Sequence, residues 1–228
     1  MKNAVIVVSA IMVPGMEDVR FTQTLHTFDS ILLRIPNASI FLVECSSTGL
    51  TDFMKKKISH YGVSIINLCD HQRIHDIKHS PLNGSNRPGY IKNLTEIYAI
   101  NYVLNNYDFS KFDRISKLSG RYFLDPYFDW NINQKNTFTT SVVYPSPRYD
   151  NMNARQCTYW SLPAANIEEY RTLFRIIEKW LISSWKNGVE YDIEHGMYLF
   201  LEQLKIPVTD SYPLGVAGLT DGKTLNMH

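Results

Sequence analysis

The sequence predicts an α/β fold, with a mostly parallel twisted sheet flanked by helices on both faces. Three short apolar runs rich in β-branched residues have the composition of strands buried on both faces. They are AVIVVSAIM (4–12), SIFLVECS (39–46) and VSIINLCD (63–70). Two stretches with helical spacing of apolar residues separate the runs, so right-handed crossovers between parallel strands are expected.

The next elements follow in order along the chain. MEDVRFTQTLHTFDSILLRI (16–35) and TGLTDFMKKKISHYG (48–62) are the two predicted crossover helices. The polar segment 70–90 is rich in Gly, Pro, Asn and Ser and predicts a loop with at most a helical turn. YIKNLTEIYAINYVLNNY (90–107) predicts a further helix, and DRISKLSGRYFLDP (113–126) a fourth strand.

The second half of the chain mixes strands and helices less regularly. Strands are predicted in NTFTTSVVYPS (136–146), QCTYWSLP (156–163) and PVTDSYPLGVAG (207–218). Helices are predicted in IEEYRTLFRIIEKWLISSWK (167–186) and DIEHGMYLFLEQL (192–204). The Gly-rich tail suits either a lid or a flexible terminus. No repeat or linker divides the chain, so one domain is predicted.

Composition excludes several classes of protein. The 23 basic and 22 acidic residues nearly cancel, which argues against a broad surface for nucleic acid. Cys45, Cys69 and Cys157 are odd in number and far apart, so neither a disulfide framework nor a zinc knuckle is indicated, and a reducing compartment fits best. The first apolar run lacks a cleavage pattern and is too short to span a bilayer, so we expect no transmembrane segment.

Polar residues end each of the first four predicted strands, and in open α/β sheets such ends face one ligand crevice. They are Ser9, Glu44 to Ser46, Asp70, and Ser119 to Arg121.

KLSGRYFL (117–124) resembles the K-[IL]-S-G-R-Y signature of bacterial and viral polysaccharide glycosyltransferases. RPGYIKNLTEIYAIN (87–101) resembles the loop and helix that precede the signature, and the order of elements resembles the GT-A fold over most of the chain. The resemblance implies one glycosyltransferase domain over 1–228, with a nucleotide-binding half at about 1–125 and an acceptor-binding half at about 126–228.

The same resemblance implies hexosyl or deoxyhexosyl transfer from a UDP- or GDP-linked donor to a glycan or glycolipid acceptor. The product would be a surface polysaccharide, a lipopolysaccharide or a virus-encoded glycan. The implied location is the cytoplasm, with peripheral attachment at the inner membrane face as an option.

In most GT-A enzymes an Asp-x-Asp motif at the end of the fourth strand holds a divalent ion against the donor diphosphate. Here Ser119, Gly120 and Arg121 stand in its place, so we expect Arg121 or Lys117 to replace the ion and Gly120 to admit the donor. No metal cofactor is therefore expected, with Mn²⁺ or Mg²⁺ kept as the alternative. The structural alternative pairs Arg121 with Asp125 or Asp113 and makes Gly120 a bulge.

Position in this fold implies further donor contacts. The ends of the first two strands would cradle the base and ribose, with Asp70 near the base unless it caps a helix. Arg87 and Lys92 bracket a helix start, where phosphate oxygens bind, unless they belong to a solvated loop. The implied base and ribose residues of the first two strands are Ser9, Ala10, Ile11 and Glu44.

Proton removal from an acceptor hydroxyl needs a carboxylate, which the family places near the start of a late helix. VEYDIEHGMYLF (189–200) supplies Glu190, Asp192 and Glu194. We favour Glu194 as the base and keep Asp192 second, because Asp192 is also a good helix N-cap.

Acceptor contacts are predicted at Tyr159, Trp160 and His195, with core packing as the alternative for the two aromatic residues. His71 begins a run of three histidines at helical spacing, continued by His75 and His79, that would suit a metal cluster, but the polarity of the segment favours a loop.

Two other functions remain open. A nucleotidyltransferase acting on sugar phosphates would want a Gly-rich loop with a basic residue after the first strand, where only one Gly and a distant Arg20 occur. A non-catalytic nucleotide- or carbohydrate-binding module would be favoured if Glu190, Asp192 and Glu194 were all remote from the crevice.

Overall fold

The computed structural model describes residues 1–81, 88–146, 152–220 and 223–227, which form both strands and helices. The first half contains β1 (Asn3–Ser9), α1 (Glu17–Arg34), β2 (Ala38–Glu44), α2 (Asp52–Ser59), β3 (Ser64–Asn67), α3 (Gln72–Lys78), α4 (Pro88–Asn106), β4 (Arg114–Ser119) and β5 (Tyr122–Leu124). The second half contains α5 (Trp130–Asn133), β6 (Phe138–Ser141), β7 (Tyr144–Pro145), β8 (Asn153–Ala154), β9 (Tyr159–Pro163), α6 (Ile167–Lys186), α7 (Ile193–Gln203), β10 (Val208–Ser211), β11 (Val216–Thr220) and β12 (Lys223–Met227).

Seven strands form the central sheet in the order β10-β6-β9-β4-β1-β2-β3. β1 is parallel to both β2 and β4, β2 is parallel to β3, and β6 is parallel to β10. Of the strands described in this sheet, only β9 runs antiparallel to its neighbours. The predicted α/β class with a mostly parallel sheet is therefore confirmed, and the carboxyl ends of β1, β2 and β4 lie at one edge.

β1 is buried on both faces, which explains its continuous apolar sequence. Val5 and Val7 pack into the core beneath α1 and α2. Ala4, Ile6 and Val8 point the other way, into the core shared with α3, α4, α6 and α7. Because neighbouring side chains of a strand point to opposite faces, a strand covered by helices on both sides tends to be apolar at successive positions.

A smaller sheet of three strands, in the order β12-β11-β5, lies beside the central one. It begins directly after β4, and α1 fixes β5 with two side chains. Thr27 Oγ1 donates to the Tyr122 carbonyl at 2.7 Å, and Arg34 Nε donates to the Leu124 carbonyl at 3.0 Å. The Gly-rich tail, predicted as either a lid or a flexible terminus, includes β11, which pairs antiparallel with β5.

Predictions of secondary structure were wrong in extent at four places. The strands predicted at 113–126 and 136–146 are each two strands of different sheets, β4 with β5 and β6 with β7. The segment 70–90, predicted as a loop, contains the seven-residue helix α3, in which Ile74 and Ile77 are buried. This apolar pair makes a short amphipathic helix within a polar stretch. The single strand predicted at 207–218 is two strands, β10 and β11, which belong to different sheets.

Within the described part of the chain, no helix combines the length and the apolar character that crossing a membrane requires.

Gly120 stands where the chain leaves β4 for β5. Its N–H donates to the Val8 carbonyl at 2.9 Å, and its carbonyl accepts from Thr24 Oγ1 at 3.0 Å. A Cβ placed on Gly120 would lie 2.7 Å from both Cβ and Oγ of Ser9. The sequence predicted that a glycine is needed here to admit a donor. The structure gives a reason within the protein itself, because the end of β1 occupies the space that a side chain at position 120 would need.

We expect Gly120→Ala to lower the free energy of unfolding by about 1–3 kcal/mol, because the new methyl group must displace Ser9. Urea titration of the variant and the wild type measures the difference.

Ser9→Gly is the matched partner substitution, since it removes both of the atoms that the new methyl group meets at 2.7 Å. The Ser9→Gly/Gly120→Ala variant should lose less stability than the sum of the two single losses. Strict additivity would mean that Ser9 is not the group that excludes a side chain at position 120.

Candidate active site

A crevice of about 590 Å³ opens at the carboxyl ends of β1, β2 and β4. α4 and the first turn of α7 supply further walls, together with Cys157 and Thr158 just before β9. The structure brings part of the predicted site together here. The predicted residues that line the crevice are Ser9, Ala10, Lys92, Ser119, Gly120, Arg121 and Glu194.

Arg121 is half-buried at the crevice wall. The structural alternative, in which Arg121 pairs with Asp125 or Asp113, does not hold. Asp113 accepts from the Lys2 N–H at 2.6 Å at the opposite end of β4, and Asp125 Oδ1 accepts from the Tyr127 N–H at 2.8 Å. Within the described residues, neither carboxylate forms an ion pair with Arg121. The guanidinium therefore remains available to a ligand.

Arg20, in the first turns of α1, is a second guanidinium in the crevice. Nη1 donates to the Ala10 carbonyl at 3.0 Å, while Nε is buried and has no hydrogen-bond partner among the described residues. Burial, and next the charge of Arg121, lower the pKa of Arg20 below the ordinary range of arginine. Two cations held close together favour an anion between them. Arg20 was not among the predicted donor residues, because it is distant along the chain from β1.

Lys78 adds a further cation that the sequence analysis missed. Its Nζ donates to the Cys45 carbonyl at 2.7 Å, which holds the side chain at the end of β2 beside the crevice. Burial lowers the pKa of Lys78. It lies at the end of α3, the helix that was predicted as a loop, so its orientation was not evident.

Lys117 is fully buried beneath the crevice, which corrects the prediction that it replaces the donor's metal ion. Its Nζ forms a short ion pair with Glu96 and donates to Ser119 Oγ at 2.8 Å and to the Cys157 carbonyl at 2.7 Å. Burial alone would raise the pKa of Glu96, but Lys117 and then Lys92 hold it below its ordinary value. Lys117 is therefore occupied with structural contacts.

Lys92 lies on α4 and lines the crevice as predicted. Burial would lower the pKa of Lys92, but Glu96 and Glu194 raise it above its ordinary value. The charges of Glu96 and Glu194 thus favour the charged form of Lys92. Since Lys117 neutralises Glu96, the crevice carries an excess of positive charge. The ionic side chains of its lining are Arg20, Lys78, Lys92, Glu96, Arg121 and Glu194.

Glu194 lies half-buried in the first turn of α7 and lines the crevice. Its Oε1 accepts from Cys157 Sγ at 3.0 Å. Asp192 lies outside the lining and caps the same helix, with its Oδ1 accepting from Asn93 Nδ2 at 2.8 Å and its N–H donating to His195 Nδ1 at 3.2 Å. The helix-cap alternative for Asp192 therefore describes its contacts, and Glu194 is the carboxylate at the crevice.

Two predicted donor residues, Glu44 and Ile11, are fully buried, which corrects their assignment to the ligand surface. The Glu44 carboxylate accepts from the Ile11 N–H at 3.1 Å and from the Ser46 N–H at 2.9 Å. Burial raises the pKa of Glu44, although the hydrogen bonds from Ser46 and Ile11 oppose this shift. Glu44 shapes the crevice indirectly, by fixing the backbone after β1 and β2.

The predicted acceptor residues Tyr159, Trp160 and His195 are each at most 2% exposed, so the structure leaves them no surface for a sugar. Core packing accounts for Trp160, which stacks on Phe138 with ring centroids 5.8 Å apart. Tyr159 donates its hydroxyl to Asn133 Oδ1 at 2.9 Å.

Asp70 is exposed and lies outside the crevice lining, so the structure does not bring it together with the other predicted donor residues. Arg87 falls outside the described residues. His71 caps α3 by accepting from the Arg73 N–H at 3.3 Å. Among the residues that the structure describes, no group of three or more His, Cys, Asp or Glu side chains is arranged to hold a metal ion.

Comparison with solved structures relates this architecture to a known fold. The glycosyltransferase GlyE of Streptococcus pneumoniae TIGR4 is similar in its apo form, with a TM-score of 0.53, and in a second structure, with a TM-score of 0.52. Each is 12% identical to this chain, and each match covers 92% of this chain and 45% of the other. The chain thus spans less than half the length of these proteins. It has a glycosyltransferase-like fold.

No family model matches the sequence, and no curated protein matches it.

We expect Lys117→Met to lower the free energy of unfolding by about 3–5 kcal/mol near neutral pH, because it leaves Glu96 buried without its partner. Chemical denaturation measures the loss. The Lys117→Met/Glu96→Gln variant is the control, and it should recover part of the stability because no buried charge remains.

Acidification provides a second check on this pair. The folded-state pKa of Glu96 lies below its ordinary value of 4.5, so its contribution to stability is present above that pH and is lost as the pH falls through the folded value. Without Lys117, burial favours the protonated carboxyl, so the stability gap between wild type and Lys117→Met should narrow on acidification. A gap that stays constant down to about pH 4 would contradict the role of this ion pair.

Proposed function

We propose that this chain is a glycosyltransferase domain of the K-[IL]-S-G-R-Y type that acts in the cytoplasm without a metal ion. It moves a sugar from a UDP- or GDP-linked donor to a glycan or glycolipid acceptor. The observation that carries the proposal is a crevice at the carboxyl ends of parallel strands that holds two guanidinium groups, of Arg20 and Arg121, and the carboxylate of Glu194.

Arg121 and Arg20 would bind the donor diphosphate. Negative charge grows on this group as the bond to the sugar breaks, and fixed cations in a crevice stabilise that charge. A guanidinium offers two parallel N–H donors that match phosphate oxygens, so it can act where related enzymes use an ion. Support comes from Arg121, which forms no ion pair within the described residues, and from Arg20, whose buried Nε has no hydrogen-bond partner there.

Glu194 would act as the base. It takes the proton from the acceptor hydroxyl, the hydroxyl oxygen bonds to the anomeric carbon, and the nucleoside diphosphate leaves with the electron pair of the broken C–O bond. This displacement serves an inverting transfer. Glu194 is supported over Asp192 because Glu194 lines the crevice, whereas Asp192 caps α7.

One observation favours the nucleotidyltransferase alternative. Arg20, distant in sequence from β1, lines the crevice after all, and a cation there would also suit a nucleoside triphosphate. The products separate the two functions, since a nucleotidyltransferase releases pyrophosphate from a nucleoside triphosphate and a sugar phosphate. A non-catalytic binding module would have been favoured if all three candidate carboxylates were remote from the crevice. Glu194 is at the crevice, so this condition is not met.

Arg121→Met should weaken the binding of UDP or GDP by about 10- to 100-fold in EDTA, because it removes charge-assisted hydrogen bonds to the diphosphate. Arg121→Lys should bind with intermediate affinity, since it keeps the charge without the paired donors. Isothermal titration calorimetry measures both affinities.

Arg175→Met is the matched control, because Arg175 is exposed on α6 and lies outside the crevice lining. Its affinity for UDP and GDP should equal that of the wild type. Wild-type binding that requires Mn²⁺ would count against the metal-independent donor site, and undiminished binding to Arg121→Met would remove Arg121 from it.

Glu194→Gln should slow the release of nucleoside diphosphate from a panel of UDP- and GDP-sugars, with water as the surrogate acceptor, by about 10²-fold or more. Its affinity for UDP and GDP should stay close to that of the wild type. Asp192→Ala should retain turnover but lose about 0.5–2 kcal/mol of stability through the lost helix cap. The reverse pattern would assign the base to Asp192.

A further inference from the structure

A cysteine thiol contacts the carboxylate of Glu194. Cys157 is 5% exposed, lines the crevice, and directs Sγ at Glu194 Oε1 over 3.0 Å. Glu194 has two carboxylate oxygens, and this contact occupies one of them. The other oxygen, Oε2, accepts no hydrogen bond among the described residues and is free to accept a proton.

The segment that carries Cys157 is fixed at both sides. The Cys157 carbonyl accepts from Lys117 Nζ at 2.7 Å, and the Ser119 N–H donates to the Thr158 carbonyl at 3.0 Å. The Arg155 N–H donates to the Glu194 carbonyl at 3.1 Å, which ties the segment to the start of α7. The segment 155–158 thus connects the end of β4, two residues before Arg121, with the first turn of α7.

We propose that Cys157 is a positioning residue for Glu194, and that Lys117 holds Cys157 in place through its carbonyl. The thiol fixes the rotation of the Glu194 side chain, so that Oε2 is kept at a constant position relative to the donor site at the end of β4. This inference rests on the proposed function, because it gives Cys157 a role in setting the geometry of the base.

The protonation state of the thiol suits this role. Burial, and then the charges of Glu194 and Glu96, raise the pKa of Cys157 well above its ordinary value. The group therefore remains S–H at neutral pH and acts as a hydrogen-bond donor. A thiol is a weak donor, so it orients a carboxylate while withdrawing little of its basicity.

A purely structural role is the competing explanation, because buried cysteines often act as small apolar side chains. The two explanations predict different results when a hydroxyl replaces the thiol of Cys157. A hydroxyl can replace the thiol as a donor to Glu194, whereas it is a poor substitute for an apolar side chain in a packed core. Cys157→Ser and Cys157→Ala therefore distinguish them.

The first measurement is the turnover of UDP- and GDP-sugars by the full chain. Cys157→Ala should lower kcat by about tenfold with KM unchanged, because the donor site is intact and the base is no longer held. Cys157→Ser should recover most of kcat. Cys69→Ala is the matched control, since Cys69 is buried but outside the crevice lining, and it should match the wild type. Wild-type kcat in Cys157→Ala would overturn the proposal, as would a loss that Cys157→Ser does not reverse.

The second measurement needs no turnover. Iodoacetamide should alkylate Cys157 slowly at pH 8 in the wild type and about tenfold faster in Glu194→Gln, because removal of a neighbouring negative charge favours the thiolate. Mass spectrometry of the Cys157 peptide gives the rate, with Cys45 and Cys69 as internal references. Equal rates in the two proteins would overturn the contact between thiol and carboxylate. If the wild type turns over no sugar nucleotide, the proposed function fails, and the alkylation rates alone then support or overturn the contact.

Discussion

The buried ion pair between Lys117 and Glu96 is the interaction on which the arrangement of the crevice depends. A lysine in the interior of a central strand is costly unless its ammonium group finds a negative partner and further acceptors. Glu96 on α4, Ser119 on β4 and the Cys157 carbonyl supply them, so one side chain connects three segments of the chain. The geometry of the crevice floor follows from satisfying this one charge.

The same pair decides the electrostatic character of the crevice. Glu96 would otherwise place a negative charge beside any bound anion, but Lys117 balances it from below. The cations that line the crevice, Arg20, Lys78, Lys92 and Arg121, then outweigh Glu194. An anionic ligand such as a diphosphate therefore meets a positive surface within a chain whose overall charge is close to zero. Local burial of a charge pair, rather than net composition, produces the positive crevice.

Sequence reasoning was accurate where one physical signal dominated. The apolar runs at β1, β2 and β3 predicted three of the strands, and the polar ends of the predicted strands indicated a crevice that includes Ser9 and Arg121. It was less accurate where a polar residue had two possible environments. Glu44 and Lys117 are residues of the kinds that bind ligands, yet both side chains are buried and hydrogen-bonded inside the protein. Arg20, in contrast, was not predicted although it lies at the crevice. It becomes a neighbour of the other crevice residues only when α1 packs onto the sheet.

The sequence by itself determined where buried strands and amphipathic helices form. The hydrophobic effect favours the element that places its apolar residues on the buried face, and the spacing of those residues can be read from the sequence. The tertiary structure alone decided which charged groups face solvent and which face one another. Lys117 and Arg121 are four residues apart, and only the packing of α4 over β4 buries the first while the second lies at the crevice. Burial of a charge is a property of its three-dimensional neighbours, and sequence spacing does not specify them.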